Sequence, residues 1–426
     1  MAIDRRSLLI GSACAVGALA APMRIAAAAA VTTIRISVYA GYETMLGDLA
    51  ARFSAIRPDI AVDYVVRGDN WDPLLQMTLR DSLVGGLPDG TWQYLTYAPL
   101  LARRGIVQPL DPLFGGDRAE LQALGITRAM IEAVSVKGSV LALPFGTTIP
   151  VVYYNMDLLR RAGYAAATLP STWQEIVEIG TKVAALDRSI NGGYIEYDST
   201  NEWVFQNLLA GFGGRMMNAE QTGIAFAGPE GRQALQVLWD LGATSTADMT
   251  YNQARQAFNA GTTGVHIRSA SGTTSVAKAA AGRFELQVGQ VPIPSQTGWI
   301  VGAGHGFMMF TRDAARQKAL WDFMRFAAGP EGQMILARRT GYMPVNMLAL
   351  NDPAFLERYL QINPYHRAIV DRLAITSDQF SFPADNTVEI ADMMAAAMRE
   401  VVRRRTRPDQ ALAAMAEQTR KLLKLA

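Results

Sequence analysis

A chain of 426 residues is long enough for two domains with a sizeable core. Its 40 basic and 38 acidic side chains nearly cancel, and once the first thirty residues are set aside 37 of each sign remain. That balance excludes the basic stripe of a nucleic-acid or membrane-surface binder, and the Arg403–Arg405 run reads as a solvated helix face or helix end.

The N-terminus reads as an export signal. Arg5 and Arg6 form a twin-arginine pattern, an uncharged run of small and apolar residues follows to Met23, and Ala26 to Ala30 satisfies the small-x-small cleavage rule. The run is too short and too rich in alanine and glycine for a membrane span. The one cysteine, Cys14, lies inside this segment, with Gly11 where a lipoprotein anchor would want leucine. A chain cleaved in this region therefore has neither disulfide nor thiolate chemistry.

Downstream, residues 33–39 alternate as a strand, and the turn Ala40 to Glu43 leads into a helix with Leu46, Leu49 and Phe53 on one face. Residues 60–66 give a second strand, and Gly68 to Trp71 opens a helix running to about Leu83. A third strand is expected over 91–97, with mostly helical sequence from 98 to 136. Lys137-Gly138 makes a hairpin turn.

The stretch from Leu143 to Asn155 is the organising segment. Pro144, Phe145 and Gly146 suggest a backbone kink that is awkward as a central strand. Two hydroxyls follow, Thr147 and Thr148, and then the apolar run Ile149 to Tyr154, which reads as a buried strand. Hydroxyls and free amides at a strand end are what an open α/β sheet offers a ligand.

Thr172 and Glu175 form a capping box for a helix to about Leu186. Further expected elements are a strand at 194–197, helices at 202–211, 231–241 and 253–259, and a strand at 264–268 with a polar loop to Thr273. After these come strands near 288–294 and 300–310, paired helices at 313–327 and 330–339, and a nearly all-helical tail from 353.

The segments PFGTTIPVVYYN, AGY and LPSTWQEIVEIGTKV occur in the order of the central block of the family 1 extracellular solute-binding proteins of ABC importers, which this chain resembles. The turn Gly85 to Asp89, the strand Val288 to Pro294 and the Thr340-Gly341-Tyr342-Met343-Pro344 turn extend the resemblance over about residues 33–346. It implies a type II periplasmic-binding-protein fold: two α/β lobes, a hinge and a ligand cleft. The expected lobes are 31–140 plus 265–312, and 141–264 plus 313–426.

The resemblance also implies a periplasmic, monomeric binding protein with no cofactor, no metal and no catalytic residue. Its partners would be a saccharide or polyol ligand and the membrane permease. Sugar clefts combine aromatic faces with neutral hydrogen-bonding groups. By position in the family pattern, the ligand set is Tyr42, Glu43, Trp71, Thr147, Thr148, Trp203, Arg268, Ser271, Gly304 and Tyr342, with Ala303 replacing one glycine of a pair. Trp173, Trp239 and Trp321 read as core residues. The nearest branch binds glycerol-3-phosphate through a tail arginine, and Ala391 stands at that place here, so a neutral ligand is expected unless Arg268 takes over.

The competing class is a secreted glycosidase using two carboxylates. The three histidines, His266, His305 and His366, are far apart in sequence and form no metal or hydrolase motif. His305 reads as a satisfied strand histidine, with ligand contact as the alternative, and Gly302 to Gly306 lacks the third glycine of a dinucleotide loop.

Overall fold

The computed structural model describes residues 31–198, 202–245, 248–382 and 386–425. The expected leader and its cleavage region lie outside these residues. Among the described residues no helix is long and apolar enough to cross a membrane.

Thirteen strands are described: β1 Thr32–Val38, β2 Ile60–Val66, β3 Gly90–Tyr94, β4 Ser135–Val136, β5 Ser139–Val140, β6 Leu143–Thr148, β7 Pro150–Asn155, β8 Asn191–Ile195, β9 Thr263–Ser269, β10 Leu286–Gln290, β11 Ile300–Met309, β12 Met343–Pro344 and β13 Thr376–Asp378. The larger sheet has the order β12-β6-β11-β3-β1-β2, with β13 on β11, and the smaller has the order β10-β7-β9-β8. In the larger sheet β1 runs parallel to β2 and β3, whereas β11 is antiparallel to β3 and β6. Strands β4 and β5 form a separate hairpin at the expected turn, where Lys137 and Gly138 both take positive φ.

The organising segment behaves differently from its sequence reading. Leu143 to Thr148 is not a kink but a full strand between β11 and β12. Pro144 is accommodated because the β6–β11 register shifts at His305/Gly306, where a bulge relieves the need for a regular ladder. The break comes one step later, at Ile149. There the chain leaves the larger sheet and enters the smaller one as β7.

Sheet membership also departs from the expected division of the chain. β9 and β10 pair with β7, so residues 265–290 go with the smaller sheet, and only β11 joins the first-strand sheet. The helices Ala314–Ala328 and Pro330–Arg339 pack on the larger sheet, against β1, β6 and β12. The tail returns to the smaller-sheet side, where helices Thr387–Val402 and Pro408–Leu423 pack on helix Pro229–Gly242. A buried apolar strand announces its burial but not its partner, so sequence alone does not assign these strands to a sheet.

Other boundaries move for local reasons. The third strand ends at Tyr94 and continues as a 3₁₀ turn, Leu95–Tyr97. The strand expected at 194–197 lies at Asn191–Ile195, and the tail contains β13 as well as helix. The capping box at Thr172/Glu175 forms as expected, with both reciprocal hydrogen bonds.

Candidate functional site

A cavity of about 570 Å³ opens between the two sheets. From the larger-sheet side come Tyr39 to Tyr42, Trp71, Tyr94, Ala303, His305 and Tyr342. From the smaller-sheet side come Tyr251, Arg255, Arg268, the Ser269 to Ser275 loop and Lys278. Seven of the ten expected ligand residues line it: Tyr42, Trp71, Thr148, Trp203, Arg268, Ser271 and Tyr342.

The other three do not. Glu43 is exposed and folds back to accept from the Gly41 amide at 2.8 Å. Thr147 and Gly304 are cross-strand partners, while their neighbours Thr148 and Ala303 line the cavity. Alternation along a strand sends adjacent side chains to opposite faces, so the paired threonines could not both reach one ligand. Gly304 borders a different opening of about 910 Å³, shared with Arg215, Trp299 and Gln379.

The polar wall is assembled across the two sheets. Thr148 Oγ1 accepts from the Ser271 amide at 3.0 Å and lies 2.8 Å from Ser269 Oγ. The Gly341 amide donates to the Ser271 carbonyl at 3.0 Å. A Cβ at Gly341 would lie 2.2 Å from the Ala270 oxygen, so only glycine permits this approach. Thr147 and Tyr342 belong to the same side of the cavity. Met343 pairs with Thr147 in one sheet, and the surface facing Tyr342 is the Ser269 to Ser275 loop.

The aromatic wall packs on itself. Trp71 meets Tyr39 edge-on at 4.4 Å and stacks on His305 at 4.3 Å with 20° between planes, and the Tyr42 hydroxyl donates to Tyr342 Oη at 3.4 Å. Trp71, Trp203 and Tyr342 are only 6%, 2% and 2% exposed. Trp203 Nε1 donates to the Val301 carbonyl at 2.9 Å, so this indole is anchored as a core side chain with one edge at the cavity. The reading of these residues as open sugar platforms is therefore revised. The reading of Trp321 as core stands, while Trp173 and Trp239 are partly buried against the same core.

Glu196, at the end of β8, was missed by sequence reasoning. Its carboxylate is buried and receives Arg255 through Nε at 2.9 Å and Nη2 at 2.7 Å. Arg268 Nε lies 3.2 Å away and His266 Nε2 3.1 Å away. Burial alone would raise the Glu196 pKa, but the two guanidiniums and the imidazole hold it well below the ordinary carboxylate range. Arg255 could have been noticed from its i, i+4 spacing to Tyr251, whose ring it covers at 4.7 Å.

Glu202, one residue before Trp203, shows the opposite behaviour. It lies in a small chamber behind Trp71 with Asp72, Tyr94, Tyr97, Gln379 and Ala391. Burial, aided by the Asp72 and Asp392 charges, pushes it up to about 7. The folded state therefore prefers the protonated form. The contribution of Glu202 is fully present below pH 4.5, is lost between about 4.5 and 7, and stays absent above. Glu202→Gln should stabilise the protein at pH 8 by up to about 3 kcal/mol and leave it unchanged at pH 4. Denaturant melts at the two pH values check this, and an equal effect at both would contradict it.

Two separate sheets, each with its helices, and a polar and aromatic cavity lined from both define a two-lobed solute-binding protein. The chain belongs to the bacterial extracellular solute-binding protein family, matched over residues 60–359, and is the solute-binding component of an ABC importer. It is 22% identical over 320 residues to the sn-glycerol-3-phosphate-binding periplasmic protein UgpB of Pectobacterium atrosepticum, covering 71% of this chain and 70% of that one. The fold is similar to UgpB from Mycobacterium tuberculosis in complex with glycerophosphocholine, with TM-score 0.80, 19% identity and coverage of 92% and 98%. It is also similar to maltose-bound T. maritima MalE3, with TM-score 0.76, 19% identity and coverage of 92% and 100%.

Proposed function

We propose that the 570 Å³ cavity captures a carbohydrate or polyol for delivery to the importer's permease. The observation that carries this is the pairing of an aromatic wall with a wall of hydroxyls and amides, Thr148, Ser269, Ser271, Thr274 and Ser275. Such a surface suits C–H-rich faces and hydroxyl edges together. Micromolar affinity requires about −8 kcal/mol, within reach of several hydrogen bonds to the polar wall together with apolar contact along the aromatic edges. The family and its structural relatives are binding proteins, and in this reading the cleft binds without chemistry. Turnover of aryl glycosides would overturn that.

The lobes follow the sheets: roughly 31–148 with 300–378, and 150–290 with the helical tail. They close by bending near residue 149 and in the segment between β10 and β11. The protein works as a periplasmic monomer exported through the twin-arginine route. Small-angle scattering with a saturating ligand should report a more compact particle.

A second reading is favoured by charge. Arg255 and Arg268 share one carboxylate, and Lys278 stands exposed at the rim without an ion pair among the described residues. Asp69 is the one acidic residue of the lining among the described residues. This excess suits a phosphorylated glycerol, and Arg268 would replace the tail arginine absent at Ala391. Calorimetry with maltose and with sn-glycerol 3-phosphate separates the readings. If the phosphate ester binds, Arg268→Ala should weaken it about tenfold or more, and if maltose binds, the same change should matter little.

A further inference from the structure

His305 is the most conspicuous polar group in the cleft that the assembled walls leave unexplained. It is 1% exposed, and among the described residues neither Nδ1 nor Nε2 has a hydrogen-bond partner. Aromatic rings surround it: Trp71 stacked at 4.3 Å, Tyr94 at 4.7 Å and Tyr342 edge-on at 4.8 Å. A neutral imidazole always carries one donor and one acceptor. Leaving both unpaired in a buried site opposes folding.

The backbone is built to hold the ring there. The bulge between His305 and Gly306 breaks the β6–β11 register beside the cavity, a device that re-aims a side chain. It requires glycine at 306, where a Cβ would lie 2.5 Å from the Leu143 oxygen. Burial pushes the imidazole well below its ordinary pKa, and no carboxylate offsets this, so the ring stays neutral and keeps both functions.

We propose that His305 is the specificity-determining contact of the cleft, its unpaired ring nitrogens being completed by a hydroxyl of the bound solute. This rests on the solute-binding reading of the same cavity. A site that pairs a buried polar group only through the correct ligand rejects an analogue lacking that hydroxyl, because the group is then left unpaired. The Trp71–His305 stack fixes the ring plane, so the hydroxyl must arrive in the plane of the imidazole.

The test uses His305→Phe, which keeps an aromatic ring without polar atoms, and His305→Asn, which keeps a donor and an acceptor. Ligand-free thermal unfolding and calorimetry with maltose, sn-glycerol 3-phosphate and glycerophosphocholine are read together. His305→Phe should melt above the wild type and bind the panel member that the wild type binds at least about tenfold more weakly, while His305→Asn recovers part of the affinity. A His305→Phe variant that melts lower, or binds as tightly as the wild type, overturns the proposal. If the wild type binds no panel member, the proposed ligand class fails. The melting result then decides about His305 alone, because a higher melting temperature supports an unpaired polar group held for use and a lower one makes it ordinary packing.

Discussion

Trp203→Ala should lower folding stability by about 3–5 kcal/mol, as expected when a fully packed indole is truncated to a cavity. The side chain is 2% exposed and its Nε1 bond to Val301 ties the helix Trp203–Gly211 to β11. Removing it opens a void and leaves the Val301 carbonyl with only the side-chain bond from Asn207 Nδ2 at 3.0 Å. Affinity changes measured without stability would therefore be misleading at this position. Chemical denaturation of the ligand-free variant checks the claim. A loss below about 1 kcal/mol, the range of a surface change, would restore the open-platform reading.

Glu196→Gln should be comparably damaging, by about 3 kcal/mol or more at pH 7, because it strands two guanidiniums and an imidazole around a neutral amide. The sign with pH follows from the depressed carboxyl. Its contribution is fully present above the unfolded value near 4.5 and is lost as pH falls toward the folded value. The wild type should therefore lose stability on acidification below about pH 4.5, and Glu196→Gln should flatten that limb. Parallel acid limbs in the two proteins would show that the network contributes no linkage. Placing Arg268 through Glu196 also matters for the cleft, since the guanidinium edge faces Gly272 at the start of the helix Thr273–Ala280.

Much of the architecture was legible because it is local. The capping box at Thr172, the Lys137-Gly138 turn and the alternation of β1 each carry their own chemistry. Of the candidate site, seven of the residues carried by family pattern met at one cavity: Tyr42, Trp71, Thr148, Trp203, Arg268, Ser271 and Tyr342. What failed was non-local. The bulge at His305/Gly306 that admits Pro144 depends on β11, more than 150 residues away in sequence, so no window around Pro144 could reveal it. The sheet of β9 and β10 depends on pairing with β7, which a buried run of apolar residues does not encode by itself. Glu196 is unremarkable as sequence and acquires meaning only when burial brings charge together. Thr147 failed for a simpler reason, the two-residue period of a strand.

The central claim is that solute binds in the cavity between the sheets. Thr274 is exposed at its rim, where its hydroxyl donates to the Thr340 carbonyl at 3.1 Å across the opening. Tryptophan at this position adds bulk toward the cavity without entering the core. Titration calorimetry of the wild type and Thr274→Trp with maltose, sn-glycerol 3-phosphate and glycerophosphocholine makes the comparison directly. The account predicts that binding seen with the wild type is lost or weakened at least about tenfold in Thr274→Trp, with the ligand-free melting temperature unchanged. Binding of wild-type strength in that variant would contradict it.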